Sequence, residues 1–398
     1  MKKLLLALGL LMLFAAEILK VYLIMPFPGS QQSNSIGIAY SLQEYILYIR
    51  IIAILIIIYS LSGRFGKWKG WQKVLFILLA LLYCGIFYVT NFKFLADKIF
   101  HQPRIKDFAT AAAYKDSTDR LVIGVELNGQ AKAYPIEIIG YHHQVRDTLG
   151  GKPIMVTYCT VCRTGRVFSP FIDNKYEEFR LVGMDHFNAM FEDKTTKSWW
   201  RQSTGEAIAG PLKGKMLDEI PSSQMGLKSW LEKYPSSLIL QPDSNYKRAY
   251  AGLKNYDKGT IEGSLEKRDS ASWQFKSWVV GVVNKTNSKA YDWNELVEHT
   301  VINDSLPNLP LVVALEADTL SFHTWSRAVN NQTLLFSKDS SGLYLRDAQT
   351  NSKWNFSGVC IEGILKDQKL LPIHAYQEFW HSWRTFHPAT EKYVWAKH

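Results

Sequence analysis

Cys159 and Cys162, in the stretch Val156-Thr157-Tyr158-Cys159-Thr160-Val161-Cys162-Arg163, are the residues whose types and spacing most directly offer chemistry. A C-x-x-C holds two sulfurs within about one turn of chain, and the thiolate is the form that attacks a disulfide or binds a soft metal. Arg163 and Arg166 are close enough in sequence to lower a thiol pKa, so Cys159, Cys162 and Arg163 form a candidate catalytic set for thiol–disulfide exchange. The same sulfurs with His143 and His186 make four soft or borderline ligands of the kind that suits copper or zinc. Outside the cytoplasm a C-x-x-C also serves as a plain disulfide staple.

The scaffold around this pair occurs twice. Adding 157 takes Gly124, Lys132, Ala133, Tyr134, His142, Asp147 and Pro153 to Gly281, Lys289, Ala290, Tyr291, His299, Asp304 and Pro310. An offset of 154 pairs Asp193, Thr196, Ser198 and Trp200 with Asp347, Thr350, Ser352 and Trp354. At 153, Gly205, Ile208, Gly210, Leu212, Lys213, Leu217, Trp230 and Pro235 meet identical residues from Gly358 to Pro388. Two units of this size are a tandem duplication rather than a solenoid.

Subtracting one unit from the other separates scaffold from chemistry. Cys159 and Cys162 become Glu316 and Thr319, so the second unit closes without a crosslink. His142, Asp147 and Asp193 are kept as His299, Asp304 and Asp347 in the unit lacking the cysteines, which points to structural roles. His143 and His186 face Thr300 and Ser340 and belong to the first unit alone. The repeated Trp200/Trp354 and Trp230/Trp383 pairs read as core residues.

Three apolar runs precede the units: Leu4–Met25, Tyr45–Leu61 and Val74–Thr90, each about long enough to cross a hydrocarbon core of roughly 30 Å. The first continues past the length of a signal peptide and has no small-x-small cleavage site, so it reads as an uncleaved anchor. Arg64, Lys67, Lys69 and Lys73 join the second and third runs without an acid, while Pro26 to Gln43 carries no charge. The positive-inside rule then places the amino terminus and the second loop in the cytoplasm and everything after about Phe92 outside it. Glu17, Lys20 and Arg50 read as paired or snorkelling groups rather than a proton path. Cys84 lies alone among apolar residues of the third run.

The net charge of +10 does not mark a nucleic-acid binder. Residues 1–100 hold ten Lys/Arg against three Asp/Glu, which leaves 36 against 33 in the remainder, a near-neutral soluble part. The basic excess fits topology and contact with membrane lipid. No Gly-rich phosphate loop, H-E-x-x-H or G-x-S-x-G is present, so no nucleotide cofactor is expected.

The units themselves read as α+β and β-rich. Asn128-Gly129 between Leu121–Leu127 and Gln130–Tyr134 predicts a tight hairpin turn, matched by Lys285-Thr286-Asn287. A helix over Ile136–Val145 follows, then strands at Pro153–Tyr158, Arg166–Ser169, Glu178–Gly183 and Ala189–Glu192, the segment Gly205–Leu212, and a helix near Leu227–Lys233. The expected organisation is a transmembrane region at 1–95, a linker at 96–118, a first β-rich unit at 119–250, a polar connector at 251–275 and a second unit at 276–398.

A series of motifs resembles the prokaryotic domain-of-unknown-function family 3179. These are Ala133-Tyr134-Pro135, His142-x-x-Val145-x-Asp147, Gly150-Gly151-x-Pro153, Thr157-Tyr158-Cys159-x-x-Cys162, Val167-Phe168, Asp193-x-x-Thr196-x-Ser198-x-Trp200-x-Gln202 and Gly205-x-Ala207-Ile208-x-Gly210. The likeness spans roughly residues 119–398, and the family has no established activity. Some members resemble selenoproteins with selenocysteine in place of cysteine, which implies redox chemistry at Cys159 and Cys162. The chain departs from the pattern at His143, where an acidic residue is usual, and at Thr160, where proline is common. The expectation is a multi-pass protein of the bacterial inner membrane with its soluble region outside the cytoplasm, exchanging thiols and disulfides with a protein partner. A copper- or zinc-binding module and a non-catalytic binding or scaffolding protein are the alternatives.

Overall fold

The structure, a computed structural model, describes residues 1–63 and 65–395; Arg64 and the last residues of the expected second unit, 396–398, lie outside it. The chain divides into two compact units. One is Met1–His101 with Ile172–Arg201 and Gly205–Met216; the other is Gln102–Phe171 with Gln202–Thr204 and Leu217–His398. The division runs through the expected first repeat, because residues 172–201 and 205–216 group with the apolar helices.

In the first compact unit, helices α1 (Lys2–Tyr22), α2 (Ile36–Leu61) and α3 (Gly70–Phe92) are long and apolar enough to cross a membrane. The helix α2 begins nine residues before the apolar run at Tyr45, because its first turns have a protein surface to cover. Ala39 is buried, and Tyr40 meets the Trp199 ring edge-on at 5.1 Å. Trp199 belongs to an antiparallel sheet ordered Ala207–Ala209, Trp199–Arg201, Asn188–Asp193, Phe179–Asp185. At its edge the Met184 N–H donates to the Ile24 carbonyl at 2.7 Å. Gly183 permits this approach, since a Cβ there would lie 2.5 Å from the Ile24 oxygen.

Glu17 is fully buried among these helices, accepting from Arg50 at 2.6 and 2.9 Å, from Asn91 at 2.8 Å and from Thr90 at 3.2 Å. Lys20 donates to Asn91 Oδ1. The pairing reading therefore holds, and Cys84 is exposed with no cysteine beside it. Glu17→Ala is expected to cost about 2 kcal/mol, limited because the Arg50 side chain is 18% exposed and can snorkel. A thermal melt in lipid nanodiscs reads this as a lowered midpoint, and an unchanged midpoint would show that the pair contributes nothing.

The second compact unit holds two successions of the same elements. The hairpin Leu121–Leu127/Gln130–Pro135, the helix Ile136–His142 and the three-stranded sheet Gln144–Leu149/Lys152–Cys159/Thr164–Phe168 form the first. The hairpin Trp278–Asn284/Asn287–Asp292, the helix Trp293–His299 and the sheet Val301–Leu306/Leu309–Leu315/Phe322–Ser326 form the second. Asn128 and Gly129 have φ of 53° and 78°, as the tight turn requires. In the other hairpin the tip is Lys285-Thr286, since Asn287 already pairs with Asn284. Each first hairpin strand also pairs antiparallel with a later one, Ser222–Gly226 or Ala375–Phe379, that leads directly into a helix, Leu227–Lys233 or Trp380–Phe386.

The residues that repeat at a constant offset are bonding partners. Asp147 accepts from Lys132 at 2.8 Å and Tyr134 at 2.7 Å; Asp304 accepts from Lys289 at 2.7 Å and Tyr291 at 2.9 Å. Asp193 ties Thr196, Ser198 and the Trp200 indole N–H, and Asp347 ties Thr350 and the Trp354 indole N–H. Trp200, Trp230, Trp354 and Trp383 are all buried, as core residues should be.

Two expectations are corrected. The helix after the first hairpin ends at His142 rather than Val145, because His143 turns left-handed at φ 58° and Gln144 opens a strand. The 251–275 connector is not merely polar: Tyr256 is 1% exposed, and its hydroxyl donates to the Thr160 carbonyl at 2.8 Å.

Candidate functional site

Cys159 ends one strand and Thr164, its register partner, begins the next, so Thr160–Arg163 form the turn between them. Arg163 takes a φ of 57° to complete the turn. Both cysteines are 0% exposed, and they are thiols rather than a disulfide. Burial pushes the Cys162 thiol well above its usual pKa, and its hydrogen bond with Cys159 adds to this. The Lys276 ammonium and the Ser382 hydroxyl pull the other way. A resting thiol of this kind is a poor nucleophile until its surroundings open.

Residues from the second succession clasp the turn. Phe379 donates its N–H to the Cys162 carbonyl at 2.9 Å, just where strand Ala375–Phe379 passes into helix Trp380–Phe386. Lys276, 7% exposed, donates through Nζ to the Val161 carbonyl between the cysteines at 2.5 Å. The His381 Nε2 lies 3.2 Å from that Nζ and 3.1 Å from the same carbonyl, and its ring stacks on Phe275 at 4.3 Å. Burial, then the Lys276 charge, depress the His381 pKa to about 3, which keeps the imidazole neutral and able to accept from the ammonium. Burial lowers the Lys276 pKa, and the two cysteines oppose that.

The two arginines are engaged elsewhere. Arg163 lies over the Trp278 ring at 3.7 Å and donates from Nε to Gln377 at 3.0 Å. Arg166 pairs with Glu378 at 2.5 Å, donates to the Ser203 and Gly165 carbonyls, and covers Tyr376. The Lys276 ammonium is the cation that favours the Cys162 thiolate. Sequence reasoning missed Lys276, His381 and Ser382. A signal was available, since at the local offsets they face Asp119, Lys228 and Ser229, and two of these three differ.

The four residues proposed as metal ligands are not gathered. His143 is buried with Nδ1 3.1 Å from the Tyr141 carbonyl, and burial depresses its pKa to about 4. It occupies the left-handed position that closes its helix, as Thr300 does at φ 61°. His186 belongs to the other compact unit, where it meets Asp185 at 2.6 Å in a turn, with Arg201 on the second carboxylate oxygen at 2.8 Å. Among the described residues no group of three or more His, Cys, Asp or Glu is placed to hold a metal ion. The repeated histidines each have partners in the fold: His142 Nε2 lies 2.7 Å from the Tyr250 hydroxyl, and His299 meets Glu295 and stacks on the Trp395 ring.

No curated protein matches the chain, and no solved structure does. A family model described as protein of unknown function, DUF3179, matches residues 99–390. That span takes in the cysteine turn and every residue that clasps it, and it exceeds half the chain; the protein belongs to the DUF3179 family.

Proposed function

We propose that the chain is a membrane-anchored thiol–disulfide protein whose reacting groups are Cys159 and Cys162. Both sulfurs give up their protons and one electron each as the disulfide forms, and a partner protein's disulfide takes up two electrons and two protons to become a dithiol. The observation that carries this reading is the buried Lys276 ammonium beside two buried thiols. An ammonium is costly to bury and a passive staple has no use for one, whereas a thiolate formed at Cys162 would be stabilised by it. Because both sulfurs are covered, exchange requires the segment Phe379–Ser382 to lift from the turn.

The same reading covers the wider architecture. The α+β, β-rich soluble region is a tandem duplication in which the second copy supplies the clasp for the first copy's cysteines. Loop charge puts this region outside the cytoplasm of a bacterial inner membrane, with lipid around α1 to α3. No nucleotide is required.

Alkylation of the full-length protein in nanodiscs tests the role of Lys276. Lys276→Met is expected to raise the pH midpoint for Cys162 alkylation by about one unit and to slow the reaction about tenfold at pH 8. The sign follows from losing a cation that favours the thiolate. Identical pH profiles in wild type and variant, both with native near-UV dichroism, would overturn it.

A further inference from the structure

We infer that the second compact unit carries a saccharide-binding cleft on the loop Glu316–Leu320, at a site separate from the thiols. At the 157 offset this loop is the counterpart of Cys159–Arg163, and at 153 the helix Leu227–Lys233 that faces it is the counterpart of Trp380–Phe386. Around the cysteines that junction is closed. Here it opens into a cavity of about 480 Å³, a size suited to a small ligand.

The polar groups at its wall are already oriented. Glu316 holds His323 Nε2 at 2.5 Å on one carboxylate oxygen and accepts from the Ser229 hydroxyl at 2.8 Å on the other. Asp318 is fixed by the N–H groups of Leu320 and Ser321, both at 2.9 Å, and lies 3.3 Å from the same Ser229 hydroxyl. Each Glu316 carboxylate oxygen has a second lone pair to offer a ligand hydroxyl, whereas the Asp318 oxygens are filled, Oδ1 by the two N–H groups and Oδ2 by the Ser321 hydroxyl at 2.6 Å together with Ser229. Tyr344 and Phe356 add half-buried rings to the wall, and Trp325 backs the His323 ring in parallel at 5.0 Å.

Charge selects the ligand class. Glu232, Glu316 and Asp318 are three anions at the cavity. Lys228 and Lys233 from the facing helix are two cations at it, and Lys338, outside the lining, acts on Glu316 and Asp318. A wall within one charge of balance favours neither a polyamine nor a polyanion, and no metal-ligand group is present among the described residues. A neutral saccharide matches: its hydroxyls donate to the carboxylates and accept from the lysines, while its C–H face lies on the rings.

The test titrates full-length protein in nanodiscs, free of glycosidic detergent, with cellobiose, maltose and chitobiose, following intrinsic fluorescence and saturation-transfer NMR. At least one disaccharide is expected to bind with a Kd of about 1 mM, weakened about tenfold or more in Phe356→Ala and in Glu316→Gln and unchanged in Cys159→Ser. The two variants must retain native near-UV dichroism, and the milder Glu316→Gln keeps the test valid if Phe356→Ala does not fold. Absence of saturation by about 10 mM with all three sugars, or binding indifferent to both variants, would overturn the inference. So would spermidine or citrate binding there in place of the sugars. Because Cys159→Ser removes the thiol chemistry and leaves this cleft intact, the two functional readings succeed or fail separately.

Discussion

Glu378→Ala is expected to lower the unfolding free energy by about 3–5 kcal/mol, the range for removing one member of a buried ion pair. Arg166 and Glu378 are each 2% exposed in their side chains and 2.5 Å apart, so the variant leaves a guanidinium buried with carbonyl partners and the more distant Glu219 at 3.7 Å. Chemical denaturation of the full-length protein measures the loss. Arg166→Met combined with Glu378→Leu should recover much of it, because a well-packed apolar pair needs no desolvation of charge. The consequence for function follows from the neighbouring bonds. The other Glu378 oxygen accepts from Ser382 at 2.8 Å, and Phe379 holds the Cys162 carbonyl. The single variant should therefore alkylate at Cys159 and Cys162 faster than wild type under native conditions. A stability change below about 1 kcal/mol would show that the pair is not the clasp's anchor.

Gly281→Ala and Gly124→Ala should each cost about 3 kcal/mol, the upper part of the range for overpacking a tight core. A Cβ on Gly281 would lie 2.3 Å from the Trp383 ring, and one on Gly124 would lie 2.3 Å from the Trp230 ring. Neither ring can swing aside freely. The Trp383 indole N–H is held by Thr390 and that of Trp230 by Ser237, both at 2.8 Å. Thermal denaturation of the two variants checks this, and Trp383→Phe added to Gly281→Ala should restore part of the loss by freeing ring volume. Wild-type melting in either glycine variant would mean that the rings relax.

These glycines show how far the sequence could be read. Gly124/Gly281 repeat at one offset and Trp230/Trp383 at another, so both pairs were visible as scaffold. That each glycine exists to let its own tryptophan lie flat on the strand was not visible, since the offset changes between them. Lys132, Tyr134 and Asp147 were likewise legible as repeated residues, and only the fold shows them as one bonded set. The three long apolar helices were legible from hydropathy, apart from the start of α2, which is set by packing on Trp199.

The cysteine turn was legible in half. Removing what repeats at a constant offset leaves Cys159 and Cys162, but it leaves His143 as well, which sits at a left-handed helix end. Lys276, whose ammonium bonds the Val161 carbonyl, lies more than a hundred residues away, and contact across that separation leaves no periodic trace in sequence. Lys276 and His381 both differ from Asp119 and Lys228 at the local offsets, and that is the trace of the clasp that the sequence carries.

The central claim is that Cys159 and Cys162 form one reversible redox couple. Its most direct measurement is equilibration of the full-length protein in nanodiscs across glutathione redox buffers, with the thiol state read by mass after alkylation. The prediction is a single two-electron transition, the same from the oxidised and the reduced side, with an intramolecular bond between Cys159 and Cys162 that is absent in Cys159→Ser. Cysteines that stay reduced across the whole buffer range, in protein that remains folded, would contradict it.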